Sequence, residues 1–323
     1  MKLNKIKLAL GFVTAAAMAM PIVASAAADQ EKAMKNSANW AHPRGQHDNQ
    51  AYSKLTQINK GNVKNLKAAW TLSTGVNRGH EGSPLVIGNM LYVHTAFPNN
   101  VYALDLNNNQ KVVWSYFPKQ DPSVQAVLCC DNVNRGLGFG NGKIFLQQND
   151  GNLVALNAKT GAKVWSTLNT DPKVGATNTN APHVIKDKVL TGCSGAEFGV
   201  RCFIAAYNIE DGSLAWKAMS TGPDSEVLIG ADFNKENPLY SALSVYEDVN
   251  GGNVEGGSFK RIPNDQLQGG VADLGLKTWL KPQAVKDGWQ HGGGSVWGWW
   301  PYDAKTNLCL LYTSPSPRDL RKS

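Results

Sequence analysis

The chain has 323 residues, 42% hydrophobic and 18% charged, with a formal net charge of +7. Lys2, Lys5 and Lys7 at one end and Arg318, Arg321 and Lys322 at the other carry most of that excess, so the body is nearly neutral and a nucleic-acid partner is not indicated. A charged fraction this low, with 10 tryptophans and 32 glycines, points to a turn-rich β protein rather than a helical one.

In chain order, "MKLNKIK" is basic, "LALGFVTAAAMAMPIVA" is apolar, and "ASA" at 24–26 is a small-x-small site. This predicts a secretory signal peptide cut after Ala26. A retained membrane anchor is the alternative, weakened by Pro21. No later stretch is apolar enough to span a bilayer. Export, most simply to a bacterial periplasm, places the remaining cysteines where disulfides persist.

Residues 27–308 form the body. Short helical turns are expected within 59–70 and 224–233. "VLCCDNVNRG" sets Cys129 beside Cys130, with Arg135 following. Adjacent cysteines can close only a strained ring, and strain of that kind is usually kept for a purpose. Two reduced neighbours is the plainer reading, and the oxidising compartment favours the bonded one.

Repetition organises the body. "VYALDLNNNQKVVW", "LVALNAKTGAKVW" and "FIAAYNIEDGSLAW" each read strand, turn, strand, Trp, and end on Trp114, Trp165 and Trp216. Ala103, Ala155 and Ala206 precede these tryptophans at a near-constant interval. A fixed period of tens of residues means stacked units. Within one period, strands at 136–140, 143–148, 152–157 and 162–166 are separated by "NG", "DG" and "KTG", which is hairpin chemistry. Four short antiparallel strands per repeat make a β-propeller blade. Each terminal Trp is expected to dock between blades. Residues 245–290 read as an irregular insertion.

Taken singly, the chemistry-bearing residues are undistinguished. Glu81 reads as a solvated strand-end charge, Glu197 as a turn acid and Arg135 as a surface ion pair. The histidines, His42, His47, His80, His94, His183 and His291, show no metal-ligand spacing and read as structural or exposed. "GLGFGNGK" opens a hairpin rather than a helix, so it is not a dinucleotide fingerprint. Cys193 and Cys202 either bond, bracing the loop between them, or stay free thiols. Cys309 is left over.

As an ordered set on a propeller the same residues resemble the quinoprotein alcohol dehydrogenases, which bind pyrroloquinoline quinone (PQQ). The repeat A-x-D-x-x-T-G-x-x-x-W is similar to that family's tryptophan-docking motif. "HEGSP" presents Glu81, "CCDNVNRG" the vicinal pair and Arg135, and "GATNTNAP" Thr179. "GCSGAEFG" presents Ser194, Gly195, Ala196 and Glu197, and "GGGSVWGWW" presents Ser295 and Trp297. The set is most similar to methanol dehydrogenase large subunits, and more to the lanthanide-dependent XoxF type than to the calcium type.

The resemblance implies an eight-bladed propeller, of which about four blades are present, and a role for each residue. Trp297 would be the floor under the planar cofactor, and a Cys129–Cys130 disulfide its lid. Arg135 would face the reactive oxygens. Glu81, Thr179, Ser194 and Ser295, with the backbone of Gly195 and Ala196, would hold the polar edges. Glu197 would bind a lanthanide ion, or Ca2+, through two oxygens. The implied reaction oxidises methanol or a similar primary alcohol to the aldehyde, with cytochrome c as electron acceptor and a homodimer as the implied assembly. A non-catalytic periplasmic scaffold propeller and a quinoprotein for larger alcohols are the alternatives.

After "YDAKTNL" the family continues with a Y-Y-G-x-G-N-P turn whose Asn is a metal ligand, followed by a catalytic Asp. Here "CLLYTSPSPRDLRKS" stands instead, with Pro315 at the Asn position. Residues 309–323 therefore read as a non-native tail on a truncated chain. A genuine short variant is the alternative. The chain on its own is expected to be inactive and free of PQQ.

Overall fold

A computed structural model of the chain describes residues 28–128, 131–221, 246–248, 259–261 and 293–309. The described part is built from short sheets that are antiparallel apart from one parallel pair, and the expected strands fall within a residue or two of their predicted bounds. β2 (Leu85–Ile87), β3 (Met90–His94), β4 (Val101–Asp105) and β5 (Lys111–Tyr116) form the first blade. β6 (Asn134–Gly140), β7 (Lys143–Gln147), β8 (Asn152–Asn157) and β9 (Lys163–Leu168) form the second, with β1 (His80–Ser83) added at the β6 edge. β10 (His183–Ile185), β11 (Lys188–Thr191), β12 (Phe203–Asn208) and β13 (Leu214–Met219) form the third. Two hairpins follow: β14 (Tyr246–Asp248) with β15 (Phe259–Arg261), and β16 (Tyr302–Asp303) with β17 (Leu308–Cys309). The first hairpin lies inside the stretch expected to be irregular. Of the expected helical turns, one is a 3-10 turn at Val63–Asn65, and 224–233 lies outside the described residues.

The repeat has a physical cause. In every blade the same alanine faces the terminal tryptophan across the last strand pair: Ala103 to Trp114, Ala155 to Trp165 and Ala206 to Trp216. All three alanines are fully buried. The ladder is irregular just after each of them, and a local bulge of this kind adds twist. Trp114 Nε1 donates to the Ala158 carbonyl at 3.0 Å, and Trp165 Nε1 to that of Ile209 at 3.2 Å. Their rings lie on Gly161 and Gly212 of the next blade, where an added Cβ would come within 2.6 Å of the indole. Both glycines have φ of +72°, so the turn and the docking surface demand the same residue.

Trp216 departs from the expectation. It is 44% exposed where Trp114 and Trp165 are 8% and 9%. The turn that would receive it is not among the described residues. Residues 50–73 are also mostly exposed, and carry Tyr52, Leu55, Ile58, Leu66 and Trp70 on the surface.

An element absent from the expectations is helix α1 (Ala28–Lys35). Its Asp29 carboxylate accepts the N–H groups of Asn141 and Gly142, each at 2.7 Å, and so caps the β6–β7 turn. The helix buries its own Gln30 and Ala33. The chain then pairs Trp40 with Val86 at the edge of the first blade. One arm thereby ties two blades together. Among the described residues no helix is long and apolar enough to cross a membrane.

The docking geometry separates the tryptophans energetically. Trp165→Ala should lower the unfolding free energy by about 3–5 kcal/mol, the usual range for a buried Trp. Trp216→Ala should lower it by less than half as much. Urea unfolding of the two variants checks this, and equal losses would contradict the docking account.

Candidate active site

In the second and third blades the first strand is the buried one: β6 and β10 are buried along their whole length, whereas β9 and β13 are largely exposed. Expected site residues enter at the starts of these strands. Glu81 precedes β2, Arg135 begins β6, Thr179 precedes β10 and Trp297 precedes β16. Successive blades thus deliver one residue each to a shared end.

Arg135 is where they meet. β1 runs parallel to β6 with His80 opposite Asn134 and Ser83 opposite Gly136, which brings Glu81 alongside Arg135. Arg135 Nη2 lies 2.9 Å from Glu81 Oε2, with the arginine side chain 4% exposed and the glutamate 44%. Nη1 donates to the Thr179 carbonyl at 3.2 Å. The guanidinium sits 4.3 Å from the Trp297 ring centroid, a cation–π contact. Burial pulls the Arg135 pKa down and Glu81 pulls it back up; the guanidinium stays charged at physiological pH.

Thr179 is itself fixed. Its Oγ1 and Ser194 Oγ share a hydrogen bond of 2.7 Å, and Thr177 and Ser194 exchange backbone bonds at 3.1 and 2.9 Å. Beneath them Asn178 Oδ1 accepts from Asn169 Nδ2 at 2.9 Å, and Tyr207 Oη donates to Asn169 Oδ1 at 2.9 Å. Burial lifts the Tyr207 pKa to about 12, so the phenol remains a donor.

Cys193 and Cys202 are bonded, with Cα atoms 5.5 Å apart. The loop they close holds Gly195, Ala196 and Glu197. Glu197 lies on the 3-10 turn Ala196–Phe198 and is exposed. Ser295 is 9% exposed, with its hydroxyl 3.9 Å from the Cys202 sulfur. Val296 N donates to the Cys193 carbonyl at 2.9 Å. That approach requires Gly192, where a Cβ would lie 2.1 Å from the Val296 carbonyl oxygen.

Trp297 therefore belongs to a segment held along its length. Trp299 Nε1 donates to the Arg135 carbonyl at 3.2 Å, and the Arg44 guanidinium lies 5.2 Å from the Trp299 ring. Trp300 stacks on His183 with centroids 4.3 Å apart and planes at 17°. Tyr302 N donates to the His47 carbonyl at 2.8 Å.

His42, His47 and His183, scattered in the sequence, gather here. His42 Nε2 and His183 Nδ1 are 3.3 Å apart, and His47 meets both His42 and Tyr302 edge-on. Burial pushes the pKa of His183 down to about 3 and, elsewhere in the core, that of His94 to about 4. His42 is driven well below its ordinary value by burial first, then by His183, His47 and Arg44.

The donor set fits a flat, polyanionic ligand: a buried guanidinium, paired hydroxyls on Thr179 and Ser194, and the half-buried indole of Trp297. For a hard cation, Glu197 offers two oxygens. No group of three His, Cys, Asp or Glu side chains suited to a metal occurs among the described residues. Cys129 and Cys130 lie outside the described residues. Trp299, Trp300 and His183 were not singled out from the sequence, although the "WGWW" run in which Trp297 stands was the available signal.

Residues 40–237 match the family described as PQQ: glucose/ethanol/alcohol dehydrogenase, β-propeller domain. The chain is 46% identical over 297 residues to the lanthanide-dependent methanol dehydrogenase of Methylorubrum extorquens, covering 91% of this chain and 44% of that protein. It is 44% identical over 290 residues to methanol dehydrogenase (cytochrome c) subunit 1 of the same organism, covering 88% of this chain and 41% of the relative. A solved europium-containing methanol dehydrogenase superposes with a TM-score of 0.69 at 44% identity, over 87% of this chain and 43% of that one. The chain thus spans less than half the length of these relatives.

The buried histidines set the pH response. The unfolded chain binds protons at them near pH 6.5, whereas folded His94 and His183 do so only near pH 4 and pH 3. Stability is therefore full above about pH 6.5 and falls as the pH drops from there towards 4, by about 1.4 kcal/mol per pH unit for each histidine. Urea midpoints should be lower at pH 5 than at pH 7.5. Equal midpoints would show that these imidazoles are not held neutral.

Proposed function

The chain belongs to the PQQ β-propeller family of glucose, ethanol and alcohol dehydrogenases, and from that premise we propose that the protein oxidises methanol or a similar primary alcohol to the aldehyde in the periplasm, with a cytochrome c as electron acceptor. The observation that carries the reading is Arg135: a buried guanidinium held between Glu81, the Thr179 carbonyl and the face of Trp297. A scaffold propeller needs the tryptophan repeats but no such charge.

In this reading PQQ supplies the two-electron redox step and a bound lanthanide ion, or Ca2+, supplies Lewis acidity. The chain's own residues bind and orient. Trp297 sets the plane of the site. Arg135 offers a fixed positive charge where negative charge gathers, and because Glu81 and Thr179 hold its fork, the field needs no rearrangement. Thr179, Ser194 and Ser295 supply hydroxyls, and Gly195 and Ala196 backbone groups, to the polar edges. Glu197 supplies a bidentate carboxylate on a loop that the Cys193–Cys202 bond keeps short. The family resemblance would give Cys129 and Cys130 the role of a disulfide-bonded lid. Cleavage after Ala26 and assembly as a homodimer belong to the same proposal.

The test uses the complete gene product that carries these residues, purified and titrated with PQQ and either La3+ or Ca2+. Methanol-dependent dye reduction is expected only with both present, and Glu197→Ala should abolish it. Wild-type turnover by Glu197→Ala would overturn the metal assignment. Strict preference for longer alcohols would favour the larger-alcohol reading.

A further inference from the structure

The segment 293–302 is anchored near each end by the backbone. Val296 N bonds to the Cys193 carbonyl at 2.9 Å and Tyr302 N to the His47 carbonyl at 2.8 Å. Between these points its rings grip two different bodies. Trp297 and Trp299 hold Arg135, at 4.3 Å through the ring face and 3.2 Å through the indole N–H. Trp300 stacks on His183 at 4.3 Å.

His183 is an odd choice for a plain core position. It is 2% exposed and its Nε2 has no hydrogen-bond partner among the described residues, whereas an apolar ring would leave no polar atom to satisfy. What the position provides is a broad planar face for Trp300, with Nδ1 tied to His42 of the N-terminal arm. The same arm places Arg44 over Trp299. Blade three and the arm thus add contacts to the segment through Trp300 and Trp299.

We propose that His183, through its stack on Trp300, is a positioning residue for Trp297 and so for a planar cofactor lying on that ring. The proposal rests on the reading of Trp297 as the cofactor floor. Without the stack, the segment keeps its backbone anchors and its grip on Arg135 but loses the Trp300 contact with blade three, and the Trp297 plane is held less firmly. Stacking affinity depends on that plane, whereas the hydroxyl and amide contacts of Thr179 and Ser194 do not.

The experiment titrates PQQ into the complete gene product, following quenching of tryptophan fluorescence and the absorbance of the bound cofactor. His183→Ala is expected to weaken PQQ binding about tenfold or more, in line with loss of an aromatic pair and its packing, and to shift the bound absorbance. His183→Phe keeps a flat ring and should stay within about threefold of wild type, a rescue that loss of general stability would not produce. If His183→Ala does not fold, Trp300→Leu takes its place, with the same tenfold loss expected. Wild-type affinity in the folded Ala or Leu variant would overturn the proposal. So would a loss in His183→Phe as large as in His183→Ala, since the ring would then not be what matters. Wild-type affinity in Trp297→Ala would instead remove the floor assignment itself.

Discussion

A buried positive charge has to be surrounded, and much of the described architecture can be understood from how Arg135 is surrounded. Taking a guanidinium out of water is costly unless its donors are met. Glu81 reaches it because β1 breaks from the first blade to run parallel to β6. The Thr179 carbonyl reaches it from the approach to β10. Trp297 covers its face and Trp299 takes its backbone carbonyl. Each partner comes from a different stretch of chain, so the charge is satisfied only when three blades and the 293–302 segment are assembled together. The electrostatics around Arg135 and the blade packing are therefore one problem.

Around this centre the propeller supplies rigidity in layers. Alanine–tryptophan pairs and interblade indole bonds fix blade against blade. The Cys193–Cys202 bond fixes the loop that carries Glu197, and buried amides lock the strand-end segment that carries Thr179. Pre-set donors of this kind suit a site where the cofactor performs the chemistry and the protein supplies position and field.

The blades were legible because their signals are local. Turn dipeptides, alternating strands and an alanine facing a tryptophan recur at a fixed interval, and each can be read without knowing what lies across the fold. The individual site residues became meaningful only as an ordered set resembling a family, and five of them, Glu81, Arg135, Thr179, Ser194 and Trp297, are linked in space by direct contacts. What the sequence hid is non-local. The Glu81–Arg135 pair depends on a parallel register between separated strands. The His42–His47–His183 cluster has no spacing that betrays it. Helix α1 is eight residues long and follows directly on the leader-like composition. Trp216 was expected to be buried by the same rule as Trp114 and Trp165, but a docking tryptophan is buried by the next blade's turn, which its own repeat does not contain.

The central claim is that Arg135, as held here, makes the site a receptor for a flat polyanion. Equilibrium binding of PQQ to the complete gene product, comparing wild type with Arg135→Lys, tests it most directly. Lysine keeps the charge but loses the planar fork and the ring-stacking face. The account predicts about a 10-fold to 100-fold loss of affinity in a variant that remains folded by circular dichroism, the range expected for hydrogen bonds to a charged group. Affinity within about threefold of wild type would contradict it.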